Sequence, residues 1–500
     1  MSEIHATRPA ALALPLLLWK TPPGLELILA QEGVAFEVVR DAHPFAFRGG
    51  RFVLFDGRRE SPAAMRLLLT SGQAAIDVDA YRKGEPVDPY DALVDDRPMR
   101  AAWRVGGYTL RERVARRPKA LIRERIIARL REDVLARNGV WARLAPFPHP
   151  YRSAFNLRVD MDEPVAEDYF RFAAARGPLD DCTTHFVSTA AYQAERRVLA
   201  DLSGRDAQSH GHYHHVYRDT EANLRNLDRA DLILRDRGFE VEGFAGPHGR
   251  WNAPVDDAME ALGYSYSSDF QLGYDDLPFF PWKAGRFSSV LQVPVHPICE
   301  GLFLDAGAAD GRRVAAHLAA VVAEKVDAGE PAFVYGHPER RLGRMPEVMM
   351  ALAAALDRRP LVWRTTLTEM ARWWRWRASR KWLAIARGPG RVEVQFEEWD
   401  AGYPLALEVF RGEFRALLPL SGPRTVVDLE SLAFERRPVP ARRAAVPPSP
   451  DRRPDSWRQV VRRAIDWETV TPIDEIPDAT IAGRVKKGLR RWKLQGAGTT

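Results

Sequence analysis

The stretch "AFNLRVDMD", residues 154–162, interleaves apolar residues with polar ones and then stops on two carboxylates, Asp160 and Asp162. The apolar content and the pattern read as a β-strand. Residues two apart on a strand share a face, so both carboxylates can look into one pocket at the strand end. Downstream, "THFVST" (184–189) is a second strand, and "ANLRNLDRADLILRDRG" (222–238) is a helix ending at Gly238. The runs "EGFAGPHG" (242–249), "VLQVPVHP" (290–297) and "PAFVYGHP" (331–338) are strands that lead into loops bearing His or Pro. Strands alternating with helices predict a parallel α/β architecture. Chemistry-bearing residues recur where strands end, which in barrel folds is the face of the active site.

Between these strands lies "SHGHYHH" (209–215), four of the chain's 12 histidines in seven positions. His210 and His214 are four apart and can converge on one ion if the segment makes a helical turn. His212 and His215 then point elsewhere. A hydrolytic zinc-type site needs about three protein ligands and an open position. The missing hard ligand and a general base can come from Asp160 and Asp162. Thiolate-free nitrogen and oxygen ligation suits Zn2+, with Co2+, Ni2+ or Mn2+ as alternatives.

Asp-x-Asp at the end of a first strand followed by His-x-x-x-His resembles the polysaccharide deacetylase (NodB-homology) family, carbohydrate esterase family 4. The later motifs keep the family's order. "GFAGPHGRWN" (243–252) resembles the third motif, "YSYSSDF" (264–270) the fourth and "VYGHP" (334–338) the fifth, and the resemblance spans roughly 153–370. It implies a distorted (β/α) barrel and a metal-dependent hydrolase that removes an N-acetyl group from an acetamido sugar in a glycan or glycolipid. It further implies Asp162, His210 and His214 as metal ligands and Asp160 as catalytic base. His337 becomes the catalytic acid with Asp269 as its partner, and Pro247, His248, Gly249 and Arg250 the substrate and oxyanion segment. The family's third-motif arginine, which holds the base aspartate, corresponds here to Ala245, so nothing fixes the ionised form of Asp160 unless Arg250 or Arg158 swings in, and this departure is the feature that favours a retired barrel. Two other readings stand beside the deacetylase. One is a related amidase acting on a non-sugar C–N bond. The other is a catalytically retired barrel that binds a glycan or organises a polysaccharide-synthesis complex.

The flanks predict further parts. Residues 1–110 read as a small α/β domain, with a helix from Pro23 to Gly33, a second N-capped by Ser61, and the buried strand Ala11–Trp19. Its own Asp-x-Asp in "AIDVDAY" (75–81) reads as a strand end, because no histidine cluster follows it. Residues 111–150 read as a charged helical connector, with Ile122, Ile126, Leu130 and Val134 at four-residue steps. The barrel is assigned to 151–378, a small β-rich appendix to 379–440, and a Pro/Arg-rich linker with a basic tail to 441–500. Thr366 and Glu369 form a capping box that opens a helix. Trp373, Trp374, Trp376 and Trp382 read as packing residues. His296 is a second strand-end histidine, whereas His185 and His317 read as structural and Cys299 as a buried, inert thiol.

The net charge of +6, spread along 500 residues, accompanies no nucleic-acid-binding motif. Two cysteines, Cys182 and Cys299, are too few for a secreted disulfide framework. No early apolar run is long enough for a membrane span. The expectation is a cytoplasmic protein, with peripheral contact at the inner membrane face allowed by "RVKKGLRRWK" (484–493), which has six basic residues and no acidic one.

Overall fold

Strand β1, Ser153–Met161, is buried at all nine positions, as expected of a parallel strand covered on both faces. The computed structural model describes residues 13–40, 52–69, 73–137, 139–308, 310–387, 390–400, 402–438, 448–451 and 481–495. After β1 come β2 (Thr183–Val187), β3 (Asp206–Ser209), β4 (Gly243–Phe244), β5 (Tyr266–Ser267), β6 (Leu291–Gln292), β7 (Ala332–Gly336) and β8 (Val362–Arg364). They form one parallel sheet in the order β6-β5-β4-β3-β2-β1-β7, with β8 on the first residues of β1. Past the end of β6, the His296 N–H donates to Phe333 O in β7 at 2.8 Å and draws the two edges together.

The connecting helices carry their own start signals. Asp219 caps Thr220–Asp236 by accepting from Ala222 N–H at 2.9 Å. Asn252 caps Ala253–Leu262 by accepting from Val255 N–H at 2.8 Å. The amide nitrogen of Asn156, fully buried in β1, shares its two N–H bonds among Cys182 O, Thr184 Oγ1 and Thr365 O. A buried polar group without such partners would be costly.

The chain clusters into two units. The barrel unit comprises 96–118, 153–372 and 440–500, and the other comprises 1–95, 119–152 and 373–439. The expected charged helix is shorter at its start than the charge pattern suggests. It spans Lys119–Ala136 and buries Ile122, Ile126, Leu130 and Val134. Residues 108–115 instead form a strand paired with Pro98–Val105. Gly106 and Gly107, both at positive φ, make the two-residue turn between them. This hairpin belongs to the barrel unit, where Ala115 N–H donates to Phe270 O at 3.0 Å.

In the other unit, Phe36–Val39, Leu16–Trp19, Phe52–Phe55 and Ala74–Asp77 form a four-stranded parallel sheet in that order. Residues 11 and 12 of the expected first strand lie outside the described residues. Ser61 accepts from Ala64 N–H at 3.1 Å and caps its helix. The strands expected as an appendix share this unit. Leu405–Arg411 pairs with Trp141–Leu144, and Trp382–Ala386 pairs with Ala13–Leu14. An isolated small sheet would leave open edges, and pairing with these earlier segments covers them. Trp373, Trp374 and Trp382 are buried. Trp373 donates to Pro146 O at 2.9 Å, so these rings pack rather than line a sugar site. Of the expected linker, 448–451 is described, and Ser449–Pro450 pairs with the hairpin strand Pro98–Val105 in the barrel unit.

Glu32 ties the second unit together. Its buried carboxylate binds both Arg123 and Arg143, and Arg143 also donates to Glu408 Oε2 at 2.6 Å. Burial pushes the Glu32 carboxyl up, but the two guanidinium groups more than offset this and bring it to about 2. Glu32→Ala takes a shared carboxylate from two buried cations, of which Arg143 keeps Glu408, and the expected loss is about 3 kcal/mol in urea unfolding at neutral pH. Because the folded-state pKa is depressed, the stabilisation is present above the unfolded value near 4.5 and fades as pH falls toward 2. The variant should therefore lose less stability than the parent between about pH 5 and about pH 3. Equal losses would remove Glu32 from this role.

Candidate active site

The site gathers at the C-terminal ends of β1, β3, β4, β5 and β7. At the end of β1, Arg158 and Asp160 share one face and make a bidentate pair. Arg158 Nε donates to Asp160 Oδ1 at 2.7 Å and Nη2 to Oδ2 at 2.6 Å. Arg158 also donates through Nη1 to Ser268 O, and its side chain is fully buried. Burial pushes the Asp160 carboxyl up, but Arg158, and then His210, outweigh it and hold the carboxylate below its ordinary range. Of the two arginines expected to stand in for one at Ala245, Arg158 on β1 is the one whose guanidinium engages both Asp160 oxygens.

Asp162, just past the strand end, meets the histidine loop. His210 Nε2 lies 3.2 Å and His214 Nε2 3.1 Å from Asp162 Oδ1. The convergence does not use a helical turn, in contrast to the expectation. Residues 210–215 form an irregular loop in which Gly211 has φ +79°, a conformation that favours glycine. Asn226, from the helix Thr220–Asp236, pins that loop. It accepts from Tyr213 N–H at 2.7 Å and donates to His215 O at 3.1 Å. His212 turns away to Thr189 Oγ1, 3.0 Å from its Nδ1.

The donor set fits a divalent ion. Three ligand atoms from Asp162, His210 and His214 lie within 4.8 Å of one another. Asp162 Oδ1 is buried and, despite the two nearby imidazoles, has no partner with hydrogen-bond geometry. His210 Nδ1 is 2.7 Å from Ala245 O. A carbonyl only accepts, so Nδ1 carries the proton and Nε2 presents its lone pair.

His337, after β7, lies on the other side of Asp162, its Nε2 3.6 Å from Asp162 Oδ2. Its partner is Glu300 and not the expected Asp269. Glu300 Oε1 lies 2.7 Å from His337 Nδ1 and accepts the His337 main-chain N–H at 2.9 Å. Arg341 Nη1 is also 2.7 Å from Nδ1. One nitrogen cannot donate to a carboxylate and accept from a guanidinium together, and the doubly bonded Glu300 fixes it as a donor. Burial works against the imidazolium, but the Glu300 carboxylate leads the effects that hold His337 well above its ordinary range. A second grouping of Cys299, Glu300 and His337 has ligand-type atoms as close together. The Arg341 cation beside it opposes a metal there.

Asp269 has another task. Its Oδ1 accepts Gly246 N–H at 2.7 Å and its Oδ2 accepts the Ser267 hydroxyl at 2.9 Å. Burial raises its carboxyl to about 6 in spite of Arg158 nearby. It therefore ties the turn Pro247–Gly249 to the end of β5. In that turn His248 has φ +59°, and its ring sits 5.1 Å from that of His214. His296 pairs instead with Asp275 at 2.9 Å, which Lys325 also binds at 3.2 Å. Both cysteines are free and buried.

Sequence reasoning passed over two residues. Glu300 stands in "HPICEG", outside any motif spacing, and only its position at the start of the helix Glu300–Asp305 hints at a fixed carboxylate. Glu112, on the hairpin read as connector, is raised to about 7 by burial, with Arg250 and His337 among the charges acting on it.

No protein-family model matches the chain, and no curated protein matches it. Solved structures do. A candidate polysaccharide deacetylase from Mycobacterium smegmatis is similar over 46% of this chain and 92% of its own, at 16% identity and a TM-score of 0.40. PuuE allantoinase is similar over 47% of this chain and 94% of its own, at 18% identity and a TM-score of 0.39. A carbohydrate esterase family 4 pseudoenzyme from Bacillus anthracis covers 45% and 66%, at 12% identity and a TM-score of 0.33. Each similarity covers a little under half of this chain.

Calorimetric titration of Zn2+ into chelator-stripped protein tests the ligand set. His214→Ala should lose the high-affinity phase, whereas His212→Ala should keep it. The opposite result would mean that the loop presents different histidines.

Proposed function

We propose that the chain is a metal-dependent N-deacetylase that removes an acetyl group from an acetamido sugar in a glycan or glycolipid. The observation that carries this reading is the buried Arg158–Asp160 pair set beside the Asp162, His210 and His214 cluster. A barrel that only bound a glycan would have no use for an ionised, immobilised base next to a ligand triad. Asp162, His210 and His214 would hold a divalent ion, Zn2+ first among the candidates.

When bound there, the ion supplies Lewis-acid activation of water and of the acyl oxygen. Asp160, held ionised by Arg158, accepts the proton of the attacking water. In the Pro247–Gly249 turn, tied down by Asp269, His248 offers its main-chain N–H to the developing oxyanion, since Pro247 has none and Gly249 N–H donates to Gly246 O at 2.8 Å. Donors of this kind contribute about 3–4 kcal/mol each in comparable sites. His337, kept protonated by Glu300, passes a proton to the leaving amine, which would otherwise depart as a strongly basic anion. The products are acetate and a free amino sugar. Hydrolysis of a non-sugar amide would use the same residues, and the two differ in which substrate releases product.

Acetate release from N-acetylglucosamine oligosaccharides is the direct test. The parent should release it, and Asp160→Asn should lower the rate about a thousandfold or more while still binding Zn2+. Release from a cyclic amide alone would move the assignment to the amidase reading. No release from either, with Zn2+ bound, would leave a retired barrel.

Arg158→Met should keep the fold and slow turnover. Arg158 lowers the Asp160 pKa, so its loss raises that pKa and the acidic limb of the pH–rate profile moves to higher pH. A limb that stays in place would show that Arg158 does not hold the base.

A further inference from the structure

The C-terminal helix Ile481–Gln495 faces the wrong way for a packed amphipathic helix. Ile481, Val485 and Leu489, at four-residue steps, form an apolar stripe and are 76%, 57% and 37% exposed. Among the described side chains of 481–489 the buried positions are Gly483 and Lys487, on another side, and the helix packs against Thr189–Tyr192 in the same unit. Surface helices ordinarily turn the apolar stripe to the core. Here the stripe is left in water.

Charge decides what fits it. From Arg484 to Lys493 there are six basic residues and no acidic one. At 100° per residue, Arg484 and Lys486 fall along the two edges of the stripe. A narrow aliphatic stripe edged by cations is the pattern of a helix lying in an interface, with apolar residues in the acyl boundary and cations among anionic headgroups. No described helix is long and apolar enough to cross a membrane, so contact would be peripheral. A protein groove complementary to this face would need acidic walls around an apolar floor, whereas an anionic bilayer supplies both without further design. A second copy of the helix is disfavoured, since pairing two stripes would bring their cationic edges together.

Position adds a reason. Thr189–Tyr192 immediately follows β2 on the strand-end face. Thr189 N–H donates to Gly211 O at 3.1 Å and Ala190 N–H to His212 O at 2.9 Å. The helix is therefore anchored to the segment that braces the histidine loop. We infer that Ile481–Gln495 is an interfacial anchor that binds an anionic phospholipid surface and holds the strand-end face of the barrel close to it. This inference does not depend on the reaction the barrel performs.

Co-sedimentation of the full chain with vesicles tests it, using phosphatidylcholine alone against phosphatidylcholine with about 30% phosphatidylglycerol. The parent should bind the anionic vesicles, bind the neutral ones far less, and release as salt rises. Val485→Asp/Leu489→Asp should weaken binding about tenfold or more while Zn2+ affinity and thermal unfolding stay unchanged. Val485→Phe/Leu489→Phe should strengthen it, which guards against a folding defect in the first variant. Three outcomes overturn the inference: no binding to anionic vesicles at low salt, binding that neither double variant alters, or a dimer in light scattering that the aspartates dissolve without any vesicle binding. The second would be bare charge attraction, and the third would assign the stripe to another copy of the chain.

Discussion

The ion pair between Arg158 and Asp160 is the constraint around which the barrel site is arranged. A guanidinium with no exposed side-chain surface is expensive to bury. Two bonds to Asp160, one to Ser268 O, and the flanking rings of Phe186 and Tyr335, 5.3 and 5.4 Å away, offset the loss of water. Both partners come from one strand two residues apart, so their geometry is set by the pleat of β1 alone. That frees β4 from supplying a cation. Ala245 can then be small, and its carbonyl holds His210 in the tautomer that presents Nε2. Placing the arginine on β1 therefore fixes the Asp160 carboxylate and leaves room for His210.

Two further carboxylates of the site, Glu300 and Asp269, have complementary tasks. Glu300 opens a helix after β6 and reaches across to His337, binding both its ring and its main-chain N–H. Asp269, at the end of β5, is turned inward to the glycine-rich segment that follows β4. His337 and the turn Pro247–Gly249 each receive one buried carboxylate. Their environments separate them: the charged histidine faces Glu300, while burial brings Asp269 to about 6.

Much of this was legible in the residues. The strand "AFNLRVDMD" and the helix ending near Gly238 follow from alternation and periodicity, whereas the meeting of Asp162 with His210 and His214 was what the family resemblance implied, spacing alone leaving Asp160 and Asp162 open. The reason for the meeting was not legible: Gly211 and Asn226 shape an irregular loop, and no period announces such a loop. Arg158 was one of two named substitutes, and pleat geometry favours it over Arg250, since only Arg158 shares a strand face with Asp160. Glu300 was invisible because its link to His337 is purely tertiary. The hairpin of 98–115 was obscured by charge density, which reads as helix until the pair Gly106–Gly107 is recognised as a turn. The strands of 391–428 were visible, but not the segments they pair with, because pairing partners far apart in sequence leave no local trace.

That last point bears on how the polypeptide is made. The unit containing the N-terminus draws on three stretches, the last running from 373 to 439. Strands such as Trp141–Leu144 and Ala13–Leu14 find their partners only within that last stretch. The barrel strands, by contrast, are all complete by residue 364. During vectorial synthesis the later-encoded barrel can close while the earlier-encoded unit still waits for its edge partners. Ala13–Leu14 and Trp141–Leu144 are thus made before the barrel strands but secured after them, and a chain stopped after the barrel would carry those unpaired edges as sites for aggregation.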